Sequence, residues 1–464
     1  MTKEEFLEMY KDIPEITALS VDMTEANSCI KIYEGEYLLK DGENEIKLIG
    51  KIFFDWFPNS RPHFYGKALA GINVLATKIT RTAKYKIIVD GLSLGQGDVT
   101  NTHFGGLGDD TTIKGSIAGH AILGNKAVEI NKVRFSIPNL REFHGLPVKY
   151  ITENRVSIPA NRLVFEDDDF IITIDKCVDY GHRKESLSEK GGYIILYAGE
   201  LICKKGSVNH SDIQEFFHCF NTFLTFLNGR RTSALFIKGI HDDKHMWCDY
   251  SGYYVDKYES VQSWPHQHSI LGLNDIWKKF KLMWQDNEDR DFLKSAIHWY
   301  VEANGQAGFV EGSLIMAQTA LELIFNWWLL EKKGLKFKNS ETMRASSKIK
   351  LVLSQLNINH DIPIAFSELQ SFFDTIKDNA IKDAPDVVSS IRNAIVHSQK
   401  AKRKKLRQIP LLTKFQGLQL YLWYIEMSIL RILDYDEQYY NRCSTSNAHS
   451  YVPWSEKTDI ANKD

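Results

Sequence analysis

The chain is short of several features that would name a chemistry outright. Its six cysteines, at 29, 177, 203, 219, 248 and 443, include no close pair. That excludes a disulfide framework or a Cys-x-x-Cys motif and leaves reduced thiols in a cytoplasmic protein as the expectation. No long hydrophobic run goes unbroken. The most apolar stretch, "SLIMAQTALELIFNWWLL", is interrupted by Gln318, Glu322 and Asn326, which suits a buried helix better than a membrane span. The first residues, "MTKEEFLEMYKDIPEI", lack the apolar stretch of a signal peptide. Net charge is also lacking: at −2 over 464 residues, no global field gathers polyanions, so any nucleic-acid site must be a local patch.

Recognisable cofactor signatures are missing too. "FGGLG" leads into no Lys-Ser/Thr pair and there is no Gly-x-Ser-x-Gly elbow, so neither a phosphate loop nor a hydrolase nucleophile is expected. "HDDKHMWCD" offers His241, Asp242, His245 and Cys248 without a partner cluster, and a polar loop is expected there rather than zinc. No cofactor and no metal are expected.

What is present is an ordinary globular balance, 43% apolar and 25% charged, in two textures. The first half consists of short β-branched and aromatic runs such as "CIKIYEGEYLL", "NEIKLIGKIFF" and "GGYIILYAGELICKK", with turns at "KDGEN" and "EDDD". The glycine-rich span 104–124 reads as strand-and-turn or a mobile loop. One helix interrupts it, "SDIQEFFHCFNTFLTFLNGR", capped by Ser211 or Asp212. Eight of ten tryptophans lie at or beyond Trp264, and seven stretches of helical spacing follow. Pro265 in "SWPHQH" marks the change. The expected class is α+β, with a β-rich domain over 1–265 and an all-α bundle over 266–464.

The most informative stretch is "SSIRNAIVHSQKAKRKKLR". At about 100° per residue, Val387, Val388, Ile391, Ala394 and Ile395 form an apolar stripe. Arg392, Asn393, Val396 and His397 then flank the opposite face, which a monomer leaves in water. Six basic residues follow at once: Lys400, Lys402, Arg403, Lys404, Lys405 and Arg407. Alone, such a run is a solvated linker. Beside a phosphate-cleaving pair it becomes an RNA-gripping arm whose binding falls steeply with salt. A histidine moves protons near neutral pH and an arginine matches phosphate oxygens with a permanent charge. His397 as general base or acid, and Arg392 as a clamp on the phosphorus centre, would suffice to cut RNA without a metal. Asn393, one turn before His397, would orient the imidazole, touch a phosphate, or stand as a plain exposed amide. Glu322, in line with Gln318 and Asn326, is either the wet edge of a packed helix or a partner for Arg392.

Arg-Asn-x-x-x-His in a carboxyl-terminal helical domain, here "RNAIVH", resembles the motif of the HEPN superfamily. The architecture resembles the ApeA-like abortive-infection proteins of bacteria, which join a β-rich domain to a HEPN domain. The resemblance implies a metal-independent endoribonuclease leaving 2′,3′-cyclic phosphates, with a cleft built by two protomers, used in anti-phage defence. It also implies that RNA, tRNA included, is the partner, that the β-rich domain either senses a trigger, for which a phage product is a candidate, or restrains the nuclease, and that the chain is a homodimer or larger. The alternative is a catalytically silent HEPN module that binds a partner, with the functional ligand on the β-rich domain.

Overall fold

The computed structural model describes residues 3–42, 44–69, 83–104, 111–151, 156–268, 270–306, 309–337, 340–396, 406–444 and 449–457. The protein is α+β, β-rich in its first half and helical in its second. It forms two compact units: Met1–Asn221 with Thr232–Glu259, and Thr222–Arg231 with Ser260–Asp464.

In the first unit six strands close on themselves: β1 (Ile30–Asp41), β2 (Asn44–Asp55), β3 (Arg61–Ala68), β4 (Lys84–Val89), β5 (Leu92–His103) and β6 (Thr112–Gly124). Closure comes from β3, which pairs with β2 on one side and with β6, from His63↔Ser116 to Lys67↔Thr112, on the other. Period-two alternation puts Leu39, Leu48, Ile52, Phe64, Ile87, Val89 and Ile113 in the interior, all at most 1% exposed. Tight coiling needs missing side chains: Gly50 lies opposite Gly66, and a Cβ on Gly50 would sit 2.1 Å from the Tyr65 carbonyl oxygen. The β4–β5 turn is Asp90-Gly91, both at positive φ, as a two-residue hairpin demands. Within the span 104–124, Thr112–Gly124 is strand.

A second set of strands continues from β6: β7 (Lys132–Pro138), β8 (Ala160–Glu166), β9 (Phe170–Lys176), β10 (Ile195–Cys203), β11 (Leu235–His241) and β12 (Lys244–Asp249). Their order from β6 is β12, β11, β7, β10, β9, β8, all antiparallel. "HDDKHMWCD" is therefore a hairpin, with Asp242 and Asp243 at positive φ in its turn. Asp167 makes the "EDDD" turn by accepting from the amides of Asp169 and Phe170.

Among the described residues, α1 (Lys3–Met9) precedes this unit's strands, α2 (Tyr180–Lys190) and α3 (His210–Asn228) interrupt them, and α3 covers part of the sheet. Phe216, Phe217 and Phe220 of α3 meet Phe170, Phe135 and Phe165 edge-on. The cap of α3 is Asn209, whose Oδ1 accepts from the Asp212 amide (3.0 Å), and not Ser211 or Asp212 as the sequence suggested.

The second unit takes the end of α3 and adds α4 (Leu273–Trp284), α5 (Asn287–Asn304), α6 (Phe309–Ile324), α7 (Ala345–Leu356), α8 (Ser367–Asp374), α9 (Ala384–Val396) and α10 (Leu411–Ile432). It is not wholly helical: β13 (Gln438–Tyr440) pairs with β14 (His449–Tyr451). α6 runs on into a wide π turn over Phe325–Lys332, and there Trp327 stacks on Phe292 at 3.7 Å. Phe309–Lys332 is long and apolar enough to cross a membrane, yet 56% of its most apolar window is buried in the fold, the habit of a core helix. A charged hub lies beneath α10. Arg442 and Glu426 pair at 2.5 Å with their side chains 1% and 0% exposed. Tyr300 donates to the same carboxylate (2.5 Å), and Gln419 accepts from Arg442 (2.9 Å).

Three histidines gather where Pro265 bridges to Tyr439. The His266 ring lies 3.9 Å from His449 and 5.8 Å from His268, and its Nδ1 accepts from the His268 amide (3.0 Å). Burial first, then the neighbouring imidazoles, push its pKa down to about 4. A histidine held neutral in the fold stabilises it above the unfolded pKa of about 6.5, and that contribution is lost as pH falls towards 4. The melting temperature should therefore drop between about pH 6.5 and 4. His266→Asn should flatten that part of the profile, and an unchanged slope would assign the loss to other groups.

Candidate functional site

α9 starts where it does because Asp383 Oδ1 accepts from the Asp386 amide (3.2 Å). Lys350 of α7 then ties down both carboxylates, at 2.9 Å to Asp383 and 2.6 Å to Asp386. Burial alone would raise the Asp386 carboxyl, but the Lys350 ammonium and the Lys382 amide outweigh it and hold the carboxyl below the usual range. Pro385 fits the first turn, where a missing N–H costs nothing. Val387, Val388 and Ile391 are fully buried and Ala394 nearly so, the stripe expected from the helical wheel. Gly417 of α10 lets the helices approach: a Cβ there would sit only 3.4 Å from Val388 Cγ1. Ser389 and the buried Tyr421 of α10 share a hydrogen bond of 2.8 Å.

Arg392 and Asn393 are half-buried rather than open to water, while Val396 is 41% exposed. Arg392 Nη1 donates to Asn393 Oδ1 at 3.4 Å, a long bond. Its Nε is buried and has no partner among the described residues. The pairing of Glu322 with Arg392 is not formed. Glu322 accepts from Gln318 Nε2 (2.8 Å) and lies 3.7 Å from Lys348 of α7. A lysine on a neighbouring helix thus competes for the carboxylate, and Arg392 has no carboxylate partner among the described residues. The polar line on α6 is no uniform wet edge, since it runs from Gln318, 1% exposed, through half-buried Glu322 to exposed Asn326. Gln318 Oε1 is likewise buried without a partner among the described residues.

Tyr421 joins these groups electrostatically. Burial pushes its hydroxyl up, the Ser389 hydrogen bond opposes that, and Glu322 and Arg392 act on it with opposite sign. Tyr421, Ser389 and Lys348 are members of this cluster that sequence reading passed over. Tyr421 is hidden in the aromatic run "QLYLWYIE", and Lys348 has the look of a surface lysine. His397, Lys400, Lys402, Arg403, Lys404 and Lys405 lie outside the described residues. Arg407 is described, and it is exposed on a short helical turn. The described residues contain no cluster of His, Cys, Asp or Glu able to hold a metal. Chemically, the described part of the cluster offers a permanent cation on a rigid helix, short of an anionic partner and flanked by an amide.

Two family models match the chain, the YopA central domain over residues 125–261 and the YopA C-terminal domain over 286–452. Among curated proteins, the chain is similar to the SPbeta prophage-derived uncharacterized protein YopA of Bacillus subtilis (strain 168). The two are 23% identical over 438 residues, covering 92% of this chain and 95% of that protein. No solved structure matches.

Proposed function

We propose that the protein is a cytoplasmic, metal-independent endoribonuclease of the HEPN type, acting in abortive-infection defence against phage. The observation that carries this reading is Arg392, a half-buried guanidinium on α9 whose Nε is buried without a partner among the described residues. Taking such a charge out of water without a counter-ion is costly, and a phosphate supplies the missing anion in a matching fork geometry. Arg392 then holds the scissile phosphate while His397 takes the 2′-hydroxyl proton and returns one to the leaving oxygen. The attack makes a 2′,3′-cyclic phosphate and frees a 5′-hydroxyl. Asn393 accepts from Arg392 and sets the fork, and the run Lys400–Arg407 grips the backbone of a tRNA or other cellular RNA.

A second protomer completes the cleft in this reading. Val396, Leu411, Leu412 and Phe415 are apolar side chains between 36% and 66% exposed on α9 and the first turns of α10, and covering them favours association. The prophage origin of the similar Bacillus subtilis protein is the point that bears on phage conflict, with a phage-derived trigger acting on the β-rich unit. The same exposed residues favour the second reading, a silent module that only binds a partner.

The deciding experiment is incubation of the purified chain with total RNA in EDTA, with product ends mapped. Cuts ending in cyclic phosphates are expected. No cutting in the presence of phage-infected lysate as well as in its absence would remove the nuclease and leave the module.

A further inference from the structure

The first unit contains a cavity of about 450 Å³, within the size range that encloses a small organic molecule. It opens between the β2–β3 turn, the middle of β6, and the segment that follows β12. Arg61 is the only charged residue among the described residues that line it. Three of the others are Tyr193, Tyr253 and Tyr254, with Asn59 and Ser60 supplying an amide and a hydroxyl.

Arg61 is positioned but not neutralised. Asp55 stands opposite it in the β2–β3 register, yet that carboxylate accepts from the Phe57 amide (3.2 Å) and engages the Cys29 thiol. Arg61 forms no ion pair among the described residues. With the Asn59 amide turned to satisfy both its ends, Asn59 Oδ1 accepts from Arg61 Nη2 at 3.0 Å and holds the guanidinium at the rim. The tyrosines are fixed in complementary ways. Tyr193 stacks on Trp56 (5.0 Å, 14°), and its hydroxyl is engaged by Ser60. Tyr253 spends its hydroxyl on Asp249 (2.9 Å), so it offers the cavity a ring rather than a polar tip. Tyr254 is 83% exposed, but its backbone is anchored, since its carbonyl accepts from Ser233 Oγ (2.8 Å). The exposed Tyr254 ring offers a face on which a flat group can stack, at the cavity that a cation without an ion pair also lines.

We infer that this cavity is a binding site for an organic anion carrying a flat ring, of the size of a mononucleotide. Arg61 takes the anionic group and Tyr254 stacks on the ring. The inference rests on the first unit alone and holds whether or not the helical unit cuts RNA.

The test is calorimetric titration of the full chain with the four ribonucleoside 5′-monophosphates, alongside inorganic phosphate and adenosine. At least one nucleotide should bind saturably at one site, and phosphate and adenosine at least tenfold more weakly. Arg61→Gln should weaken the nucleotide tenfold or more and leave adenosine unchanged, whereas Tyr254→Ala, at an exposed ring, should weaken both. Failure of all four nucleotides to bind, or binding untouched by both substitutions, overturns the assignment. Phosphate binding as tightly as the nucleotide removes the ring from it.

Discussion

His397→Ala is expected to lower the rate of RNA cleavage by about 10²- to 10⁴-fold, the share that a positioned proton-transfer group contributes. Arg392→Ala should cost about 10²- to 10³-fold through lost charge stabilisation. Arg392→Lys should recover little, because an ammonium keeps the charge but not the fork. The distinguishing measurement is single-turnover cleavage of a defined RNA beside a binding assay on the same RNA. Both variants should still bind, since the grip is assigned to the Lys400–Arg407 run, and that binding should weaken steeply with added salt. Equal cleavage by wild type and His397→Ala would sink the assignment. Loss of binding in Arg392→Ala, without loss of rate on bound RNA, would move that residue from chemistry to docking.

The second large effect concerns stability. Arg442→Ala leaves the Glu426 carboxylate, 0% exposed, buried beside Tyr300 and Gln419 without its cation. Breaking a buried pair in this way costs about 3–5 kcal/mol. In a unit of this size that lowers the melting temperature by about 10 °C. The double variant Arg442→Met, Glu426→Leu removes both charges together and should melt close to wild type or above it. Melts followed by helical circular dichroism separate the two. If the double variant falls as far as the single one, the hub works through its hydrogen bonds to Gln419 and Tyr300 rather than through charge balance.

Several helices of the second unit were legible in the sequence because they bury one stripe at helical spacing, whereas α10 is buried on every side from Gly417 to Leu430. The α9 stripe from Val387 to Ala394 is the clearest instance. The hairpin β11–β12 went unread because "HDDKHMWCD" has the polar composition of a loop, and β5 went unread where the barrel demands glycine. β5 contains Gly95 and Gly97, and a Cβ on either would lie within 2.7 Å of a backbone oxygen on β6, so the residues that make closure possible erase the alternating pattern. α2 escaped notice for a different reason. Its buried side includes Arg183, satisfied by Asp179 and by the carbonyls of Met23 and Ile195, and a composition reading counts that residue as surface. At the candidate site, Arg392 and Asn393 are the residues that spacing and neighbours single out. The partner of Glu322 was not, because α6 carries nothing to say that Lys348 of α7 comes within 3.7 Å. Competition for a carboxylate is a tertiary fact.

The double membership of β6 bears on how the chain can be cut for study. Its last residues, Ile122–Gly124, ladder with β12, while its earlier ones close the barrel against β3. The match to the YopA central domain begins at residue 125, immediately after that ladder. A fragment expressed from 125 to 261 would therefore carry β12 with one flank of N–H and C=O groups bare, a template for strand addition between molecules. Such a fragment should self-associate, and one extended back to include β6 alone would move the bare edge without removing it. Soluble behaviour of the β-rich half calls for starting the fragment before β1.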